Sequence, residues 1–473
     1  MRRIKISLLF LVLFLGLFYS TSAQYSQTLY NMNRIPQSSL MNPAIQPECN
    51  FFIGLPVISS THVGVGNNRL TLSDVVKPHP TEDSLITFLH PLSDDKNILD
   101  KIKNSNYFYN DFQTTLLTFG FRADTWYFSL HAGDRQQLRV SYPKDLMQFA
   151  LEGNDGFENT NMDFGNLGVN MSYFREYSLA ASKAFSDQLT IGIRGKVLYG
   201  YGNVQTVGSD LSLYSSIDEI NMAADMQVNV SGPVQATTNA DGDFDGFEEI
   251  PDIDWVDYAL DHQNMGMGVD LGVFYQPFSD LKVSASLVDL GYIKWDNNVT
   301  NLSLLGEYTF TGIDLTSEFD DDVSGDPMEM LLDSLENSFD LNNTAESYTT
   351  GLGTKVYIGA NYYLSPKVDV AFLSRTVFYG SEMNQAFTLS ANTRPATGLT
   401  ASFSYSVLNG TYNNVGFGLI LGGAPFQLYF MSDNFSAGLW GHKTSSFNFR
   451  FGLNFTFGCR KKIKDFPLLK SRL

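Results

Sequence analysis

The sequence is poor in cysteine and in long apolar runs. Its two cysteines, Cys49 and Cys459, stand near opposite ends of the chain. In an oxidising compartment they could form a disulfide, and two free structural thiols are equally allowed. Beyond residue 23, no stretch approaches the ~20 consecutive apolar residues of a transmembrane helix. Such a chain can cross a bilayer only as a closed barrel of strands.

Positive charge is also scarce, with 31 Lys+Arg against 50 Asp+Glu and a net charge of -19. The first residues place Arg2, Arg3 and Lys5 before an apolar run that ends in small residues, which predicts a signal peptide over residues 1–23. Its removal leaves 28 basic and 50 acidic residues, a net charge of -22. We therefore expect no nucleic-acid partner, because the phosphate backbone attracts basic surfaces.

Interdomain linkers and catalytic motifs are missing as well. A soluble chain of roughly 450 residues would be expected to form two or three domains, yet no Pro- or Ser-rich linker divides this one. The six histidines show no HExxH or paired-ligand spacing. A GxSxG elbow and a phosphate-binding glycine loop are absent too. We predict a protein that is not an enzyme and has no cofactor beyond the calcium considered below.

What the sequence does contain is many short runs in which apolar and polar residues alternate. The clearest run is FNFRFGLNFTF, Phe447–Phe457. Such a strand has one apolar and one polar face. The apolar face would be the core of a soluble sandwich or the lipid side of an outer-membrane barrel. In LTIGIRGKVLYGYG, Arg194 and Lys196 share the polar face of one strand, which favours a water-filled lumen.

We therefore predict an all-β fold, a transmembrane antiparallel β-barrel of roughly 14 to 16 strands over residues 49–458. Segments 264–276 and 280–295 are predicted to form a hairpin. The other predicted strands lie near 51–66, 112–122, 125–133, 163–174, 176–186, 347–364, 367–379, 384–393, 397–408, 414–423 and 425–432.

The remaining segments are assigned around this barrel. Residues 24–48 are predicted to be an N-terminal periplasmic segment, and residues 459–473 a basic tail that is either solvated or bound to a partner or anionic lipid. Two long acidic segments, about 204–262 and 314–345, are predicted to be outer loops. The second has a short helix beginning near Asp326, because Asp followed by Pro is typical of a helix start.

One acidic loop has the ligand spacing of a calcium site. Counting from Asp241, carboxylates stand at positions 1, 3, 5, 9 and 12 and a glycine at position 6. The candidate ligands are Asp241, Asp243, Asp245, Glu249 and Asp252. The alternative is a solvated acidic loop that binds no metal, since position 12 is not the usual Glu.

Four charged residues are candidates for the lining of the barrel lumen. Arg194 and Lys196 could line a transport path for anions. The alternative is that they form ion pairs with lumen carboxylates such as Asp270 and Asp289 on neighbouring strands.

Several segments carry a resemblance to known barrels. They are LYNMNRIPQSSLMNPA (29–44), FREYSLAASKAFSDQLTIGIRGKVLYG (174–200), GVDLGVFYQ with SASLVDLGYIKW (268–295), and FQLYFMSDNF with FNFRFGLNFTFG (426–458). They resemble an uncharacterised Bacteroidota outer-membrane barrel family, similar to the PorP/SprF proteins linked to type IX secretion and gliding, and distantly to FadL-like fatty-acid transporters. The resemblance implies a location in the cell outer membrane, in contact with its lipid, and no particular activity.

Two functions remain open at this point. The first is a barrel that binds or passes a small hydrophobic or amphipathic molecule across the outer membrane. The second is a structural or docking barrel whose acidic outer loops hold a surface, periplasmic or secretion-system partner.

Overall fold

The computed structural model describes residues 27–88, 90, 92, 95–153, 157–238, 244–251, 254–260, 263–311, 338–379, 382–408, 411–435 and 444–459. Its strands in chain order are β1 Cys49–Gly54, β2 Thr61–Asn67, β3 Val76–Pro78, β4 Leu85–Thr87, β5 Ser105–Ala123, β6 Trp126–Pro143, β7 Thr160–Asp163, β8 Gly168–Ala184, β9 Leu189–Ser215, β10 Ile220–Ser231, β11 Val234–Thr238, β12 Phe244–Glu249, β13 Met265–Phe278, β14 Leu281–Trp295, β15 Val299–Phe310, β16 Phe339–Thr344, β17 Tyr348–Gly351, β18 Thr354–Ser365, β19 Val368–Tyr379, β20 Glu382–Ala396, β21 Leu399–Leu408, β22 Thr411–Gly422, β23 Phe426–Ser432 and β24 Ser446–Cys459.

Helices are few and short in the described part of the chain. They are α1 Gln27–Asn31, α2 Leu72–Val75, α3 Asp95–Lys101, α4 Lys144–Glu152 and α5 Trp255–Leu260, with a 3-10 turn at Pro36–Leu40. None of these described helices has the length and apolar character needed to cross a membrane.

Antiparallel pairing joins the strands into a closed ring of fourteen positions. The first position is shared by β1 and β2, the eighth by β17 and β18, and the others are β5, β6, β8, β9, β13, β14 and β19 to β24. The ring closes because β24 pairs with β23 on one side and with β1 and β2 on the other. The predicted all-β barrel is confirmed, at the lower end of the predicted strand number.

The last strand shows how the faces of the barrel are arranged. Phe447 and Phe457 are 41% and 46% exposed, whereas Arg450 and Asn454 are 3% and 0% exposed. The apolar side chains therefore point away from the ring and the polar ones into it. This is the reverse of a soluble sandwich, in which the apolar face is the core.

The two ends of the ring differ in the length of their connections. One end has tight turns, such as residues 124–125 and 279–280, and carries the start of β1 and the end of β24. The other end has long connections, such as residues 68–104 and 296–347. The predicted hairpin is confirmed as β13 and β14, because Phe278 pairs with Leu281 across the two-residue turn.

The first predicted outer loop is largely built of strands. β9 continues for 27 residues, pairing with β13 along residues 189–199 and with β10 along residues 203–215. β10 in turn pairs with β15, and β15 with β16. We call residues 203–215, β10, β15 and β16 the outer sheet. The prediction of a loop at 204–262 missed residues 203–215 and β10, and the prediction of a loop at 314–345 missed β16. β15 was not predicted, and the helix predicted after Asp326 lies outside the described residues.

The main correction concerns the segment that was predicted to lie in the periplasm. Residues 27–48, its described part, lie inside the ring and contact inward-facing side chains of strands all around it. The physical reason is that this short stretch carries both polar and apolar side chains, and its polar side chains find hydrogen-bond partners on the polar inner face of the wall. We call residues 27–48 the interior segment. The predicted signal peptide and the tail beyond Cys459 lie outside the described residues.

A disulfide joins Cys49 to Cys459, which the sequence had left open. The two residues are direct partners in the pairing of β1 with β24. The bond therefore closes the ring covalently at its tight-turn end.

Candidate functional site: the occupied barrel interior

The interior segment begins with helix α1, whose first turn is held by Asp433. The Asp433 carboxylate accepts hydrogen bonds from the backbone N–H groups of Gln27 at 3.0 Å and Thr28 at 2.7 Å, and from the Thr28 hydroxyl at 2.5 Å. The first N–H groups of a helix lack partners within the helix, and a carboxylate satisfies them well. Asp433 follows β23, so the wall fixes the start of the segment.

Apolar side chains of the segment pack on two parts of the wall. One cluster joins Leu29, Met32 and Ile35 of the segment to Ile420, Tyr429 and Met431 of β22 and β23. Elsewhere, the ring of Tyr30 stacks on Tyr357 with 5.2 Å between centroids, and its hydroxyl donates to Ser284 at 3.0 Å. The segment is thus packed on the inner wall as a core element would be.

Glycines of the wall make room for the segment. A Cβ atom added at Gly192 would lie 2.2 Å from the carbonyl oxygen of Pro43, and one at Gly272 would lie 2.1 Å from Asn42 Oδ1. By contrast, a Cβ at Gly195, three residues further along β9, would meet nothing within 4 Å. Gly192 and Gly272 pair directly across β9 and β13. They form a shallow step in the wall that the segment occupies.

The far end of the segment is tied to the wall by hydrogen bonds. Gln37 Nε2 donates to Asn454 Oδ1 at 2.7 Å, and Arg194 Nη2 donates to the Ser39 carbonyl oxygen at 2.9 Å. Near the tight-turn end, Arg122 Nη2 donates to the Pro47 carbonyl oxygen at 2.6 Å. These contacts join the segment to side chains, and no strand ladder runs between the segment and the described part of the wall.

A group of seven charged residues lies on the wall beside the segment. We call it the wall cluster, and its members are Arg135, Glu176, Arg194, Lys196, Asp270, Asp289 and Lys355. Lys196 Nζ lies 2.8 Å from Asp270 Oδ1, and Arg194 Nη1 lies 3.2 Å from Asp270 Oδ2. Asp289 contacts both Lys196 and Lys355. Four cations and three carboxylates leave an excess of one positive charge among these residues.

The structure brings the four predicted lumen residues into one place. Arg194, Lys196, Asp270 and Asp289 are all buried members of the wall cluster. The ion pairs that we considered as the alternative to an anion path are present, and a role in transport stays a prediction. Sequence reasoning missed Arg135, Glu176 and Lys355.

The missed residues share one signal that the sequence carries. Each is a charged residue within an alternating strand, at a position whose neighbours along the chain point to the lipid side. Glu176 began a predicted strand and Lys355 lay within one, whereas Arg135 fell just beyond the predicted end at 133. A search for charged residues on the polar face of each predicted strand could therefore have found Glu176 and Lys355.

The calcium prediction falls mostly outside the described residues. This holds for Asp241, Asp243 and Asp252, and the side chains of Asp245 and Glu249 are not described either. The backbone of Phe244–Glu249 forms β12, paired with β11. Within the described part of the chain, no group of three or more His, Cys, Asp or Glu residues is arranged to hold a metal ion. The calcium site stays a prediction.

Together, the closed ring, its reversed faces and the interior segment define a plugged antiparallel β-barrel. The chain belongs to the family of unknown function DUF5723, whose model matches residues 43–433. No curated protein matches the chain.

Three solved structures of similar arrangement are distant in sequence. The toluene transporter TbuX of Ralstonia pickettii is 11% identical, with 90% of this chain and 94% of that chain covered and a TM-score of 0.41. The toluene transporter TodX of P. putida is 10% identical, with 90% and 95% covered and a TM-score of 0.39. A FadL homologue of Pseudomonas aeruginosa is 8% identical, with 90% and 95% covered and a TM-score of 0.39.

Proposed function

We propose that this protein is an outer-membrane barrel that passes a small hydrophobic or amphipathic molecule, and that the interior segment is its gate. The observation that carries the proposal is the way residues 27–48 fill the ring. Side-chain hydrogen bonds and packing hold them, not strand pairing. The segment can therefore move without breaking the hydrogen-bond ladder that closes the wall.

The outer-membrane location is supported by the outward apolar faces. A wide band of exposed aromatic and aliphatic side chains would be unfavourable in water, whereas hydrocarbon accommodates it. The predicted signal peptide fits export to the same place. Heat-modifiability of protein from outer-membrane fractions tests the location. A mobility shift between unboiled and boiled samples is expected, and release of the protein in soluble form would contradict it.

Two kinds of surface would become accessible if the segment moved. Ile420, Tyr429 and Met431 would lose their apolar cover on β22 and β23. The wall cluster would be uncovered near Arg194, on strands seven positions away around the fourteen-position ring. An amphipathic molecule could satisfy both, with its apolar part on one wall and a polar or anionic group on the other. This is why we favour an amphipathic over a strictly apolar substrate.

Deletion of residues 27–44 tests the gate. We expect the deleted barrel to retain its heat-modifiability and to admit small hydrophilic dyes into liposomes, because its interior is no longer filled. The intact protein should exclude those dyes and still transfer a fluorescent long-chain fatty acid, used as the amphipathic probe. Equal fatty-acid entry into liposomes with and without intact protein would overturn the transport proposal.

A docking function is the second candidate, and the outer sheet favours it. β9 has 27 residues, more than twice the about 9–11 residues that a strand needs to cross a membrane. The resemblance to barrels linked to type IX secretion and gliding suggests the class of partner, a surface or secretion-system protein.

The outer sheet can be shortened without disturbing the ring. Gln205 pairs with Asn229, and Leu302 pairs with Asn343. Replacing residues 206–228 and 303–342 by Asn-Gly turns therefore joins residues that are already neighbours. If the protein docks a partner, the shortened barrel should lose that partner in cross-linking from intact cells. Unchanged cross-linking would remove the basis of the docking proposal.

A further inference from the structure

A groove crosses the outward face of the wall over four strands. Its lining side chains are mostly large and apolar: Phe119 and Phe121 of β5, Phe128 and Leu130 of β6, Leu179 and Ala181 of β8, and Ile193 of β9. The groove lies on the outer face of the wall, whereas the interior segment lies against the inner face.

The groove exists because small residues interrupt an aromatic and aliphatic surface. Ala181 pairs with Phe128 on one side and with Ile193 on the other, and its outward neighbour along β8 is Leu179. These three larger side chains stand above the Ala181 methyl group and leave a depression. Gly195, opposite Leu179, extends the depression, since a Cβ there would meet nothing within 4 Å.

A lysine stands at the tight-turn end of the groove. Lys183 is two residues beyond Ala181 on the same face of β8, and its Nζ lies 5.0 Å from the ring centroids of both Trp126 and Phe185. The Trp126 ring stacks on Phe128, which forms one side of the groove. No described carboxylate lies within 4.0 Å of Lys183 Nζ. The groove therefore runs from apolar surface to a single cation held between aromatic rings.

We propose that this groove is a phospholipid-binding site, which takes an acyl chain of a lipid in the periplasmic leaflet and holds its phosphate at Lys183. The proposal rests on the outer-membrane location proposed above. An acyl chain matches the apolar, elongated groove because burial of hydrocarbon drives its binding. The phosphate matches the cation at the end where the tight turns lie, the end that faces the periplasm in barrels of this kind.

Native mass spectrometry in mild detergent, with phosphatidylglycerol titrated onto the full-length protein, tests the site. We expect one lipid to bind more tightly than the rest. Ala181→Leu should weaken that first binding at least about tenfold, because a longer side chain fills the floor, and tenfold corresponds to about 1.4 kcal/mol. Lys183→Gln should weaken it about three- to tenfold through loss of the charge-assisted contact.

Matched controls come from outward-facing positions elsewhere on the barrel. Ala285 is an outward alanine of β14, and Lys294 is an exposed lysine near the opposite end of that strand, paired with Asp296 at 3.1 Å. Ala285→Leu and Lys294→Gln should leave the first binding unchanged. A second probe, diacylglycerol, lacks the phosphate, so the effect of Lys183→Gln should vanish with it while that of Ala181→Leu persists.

The outcomes separate this inference from the proposed function. Heat-modifiability of each sample first shows whether a barrel has formed, and its absence from the wild-type protein would overturn the membrane location itself. A folded barrel that binds phosphatidylglycerol equally in all four variants would overturn the groove site alone. Weaker binding in Ala181→Leu with no effect of Lys183→Gln would also overturn the site as proposed, because the lipid phosphate would not be held at Lys183.

Discussion

At the scale of single residues, the interior of this barrel depends on charges that share partners. Lys196 contacts Asp270 and Asp289, and its Nζ lies 3.8 Å from Glu176 Oε2. A buried charge that loses its partner is costly, because it is out of reach of bulk water. The wall cluster thus holds six strands in one arrangement next to the interior segment.

Removal of one cation from this cluster should be strongly destabilising. We expect Lys196→Met to lower the free energy of unfolding by about 3–5 kcal/mol, because buried carboxylates lose a shared partner. Denaturant unfolding in detergent, followed by tryptophan fluorescence, measures the change. Lys294→Met is the control, since an exposed pair contributes about 0–1 kcal/mol. Equal loss in both variants would show that burial of the cluster is unimportant.

A second ionic contact lies outside the barrel wall, in the connection between β2 and β5. Burial acts to raise the pKa of the Asp74 carboxyl, but hydrogen bonds from Lys101 and Thr71 outweigh it and hold the pKa below its usual value of 3.8. Lys101 Nζ lies 2.5 Å from Asp74 Oδ1, and Thr71 N donates to Asp74 Oδ2 at 2.8 Å. The carboxyl is thus more acidic in the folded connection than in an unfolded one.

Acid should therefore loosen this connection. The contribution of Asp74 is complete above the unfolded pKa of 3.8 and is lost as the pH falls through the lower folded value. We expect the amides of residues 71–75 to exchange faster, relative to intrinsic rates, at pH 3 than at pH 5. In the Asp74→Asn variant, the same amides should exchange fast at both values of pH. A wild-type protein with no such change between them would contradict the assignment.

At the scale of elements, alternation within strands was predictable and the interior segment was not. The two faces of β24 and the hairpin β13–β14 follow from local patterns, because each strand shows its two environments in its own residues. Residues 29–44 show no period, and their partners lie hundreds of residues away on the wall, as for Gln37 and Asn454. The wall cluster was predictable only in part. The alternation along a strand shows which face of the wall a residue lies on, but not which residues of other strands lie beside it.

The outer sheet was missed for a different reason. Its first part, residues 203–215, continues β9 without a turn and exchanges the pairing partner β13 for β10. Sequence patterns indicate that a strand continues but not which strand it pairs with. Acidic composition at 204–262 was therefore interpreted as a loop.

The glycine step beneath the interior segment gives a test at this scale. In Gly192→Ala the new Cβ would lie 2.2 Å from the Pro43 carbonyl oxygen, so the segment must shift away from β9. We expect trypsin to cleave after Arg34, the one basic residue of residues 27–48, several-fold faster than in the wild type while the barrel stays heat-modifiable. The Gly195→Ala variant, changed on the same strand, should be cleaved at the wild-type rate. Identical rates in both variants would mean that the step does not position the segment.

At the scale of the whole molecule, the Cys49–Cys459 disulfide makes one covalent circle of the wall. The bond spans 410 residues of sequence and stands where the first and last strands meet. Cross-links that close long loops restrict the denatured chain most. Hydrogen bonds between β1 and β24 close the same seam, so the ring does not depend on the disulfide to form.

Reduction should change the denatured protein more than the folded one. Boiled, unreduced protein is expected to migrate faster in gels than boiled, reduced protein, because its chain remains a loop. The double variant Cys49→Ser, Cys459→Ser should still show heat-modifiability, but at a lower conversion temperature than the wild type. If boiled samples with and without reductant migrate alike, the cysteines are not joined in the cell.

The attachment of the interior segment to β1 has a consequence for any molecule that enters the barrel. Because residues 27–48 lead directly into Cys49, the segment is an intramolecular occupant, whose effective concentration at its own site is of millimolar order for a short tether. An incoming molecule must compete with that concentration, so its measured affinity is weaker than its intrinsic affinity for the bare wall. Selectivity can then arise from competition: only molecules that replace both the apolar and the polar contacts of the segment gain entry.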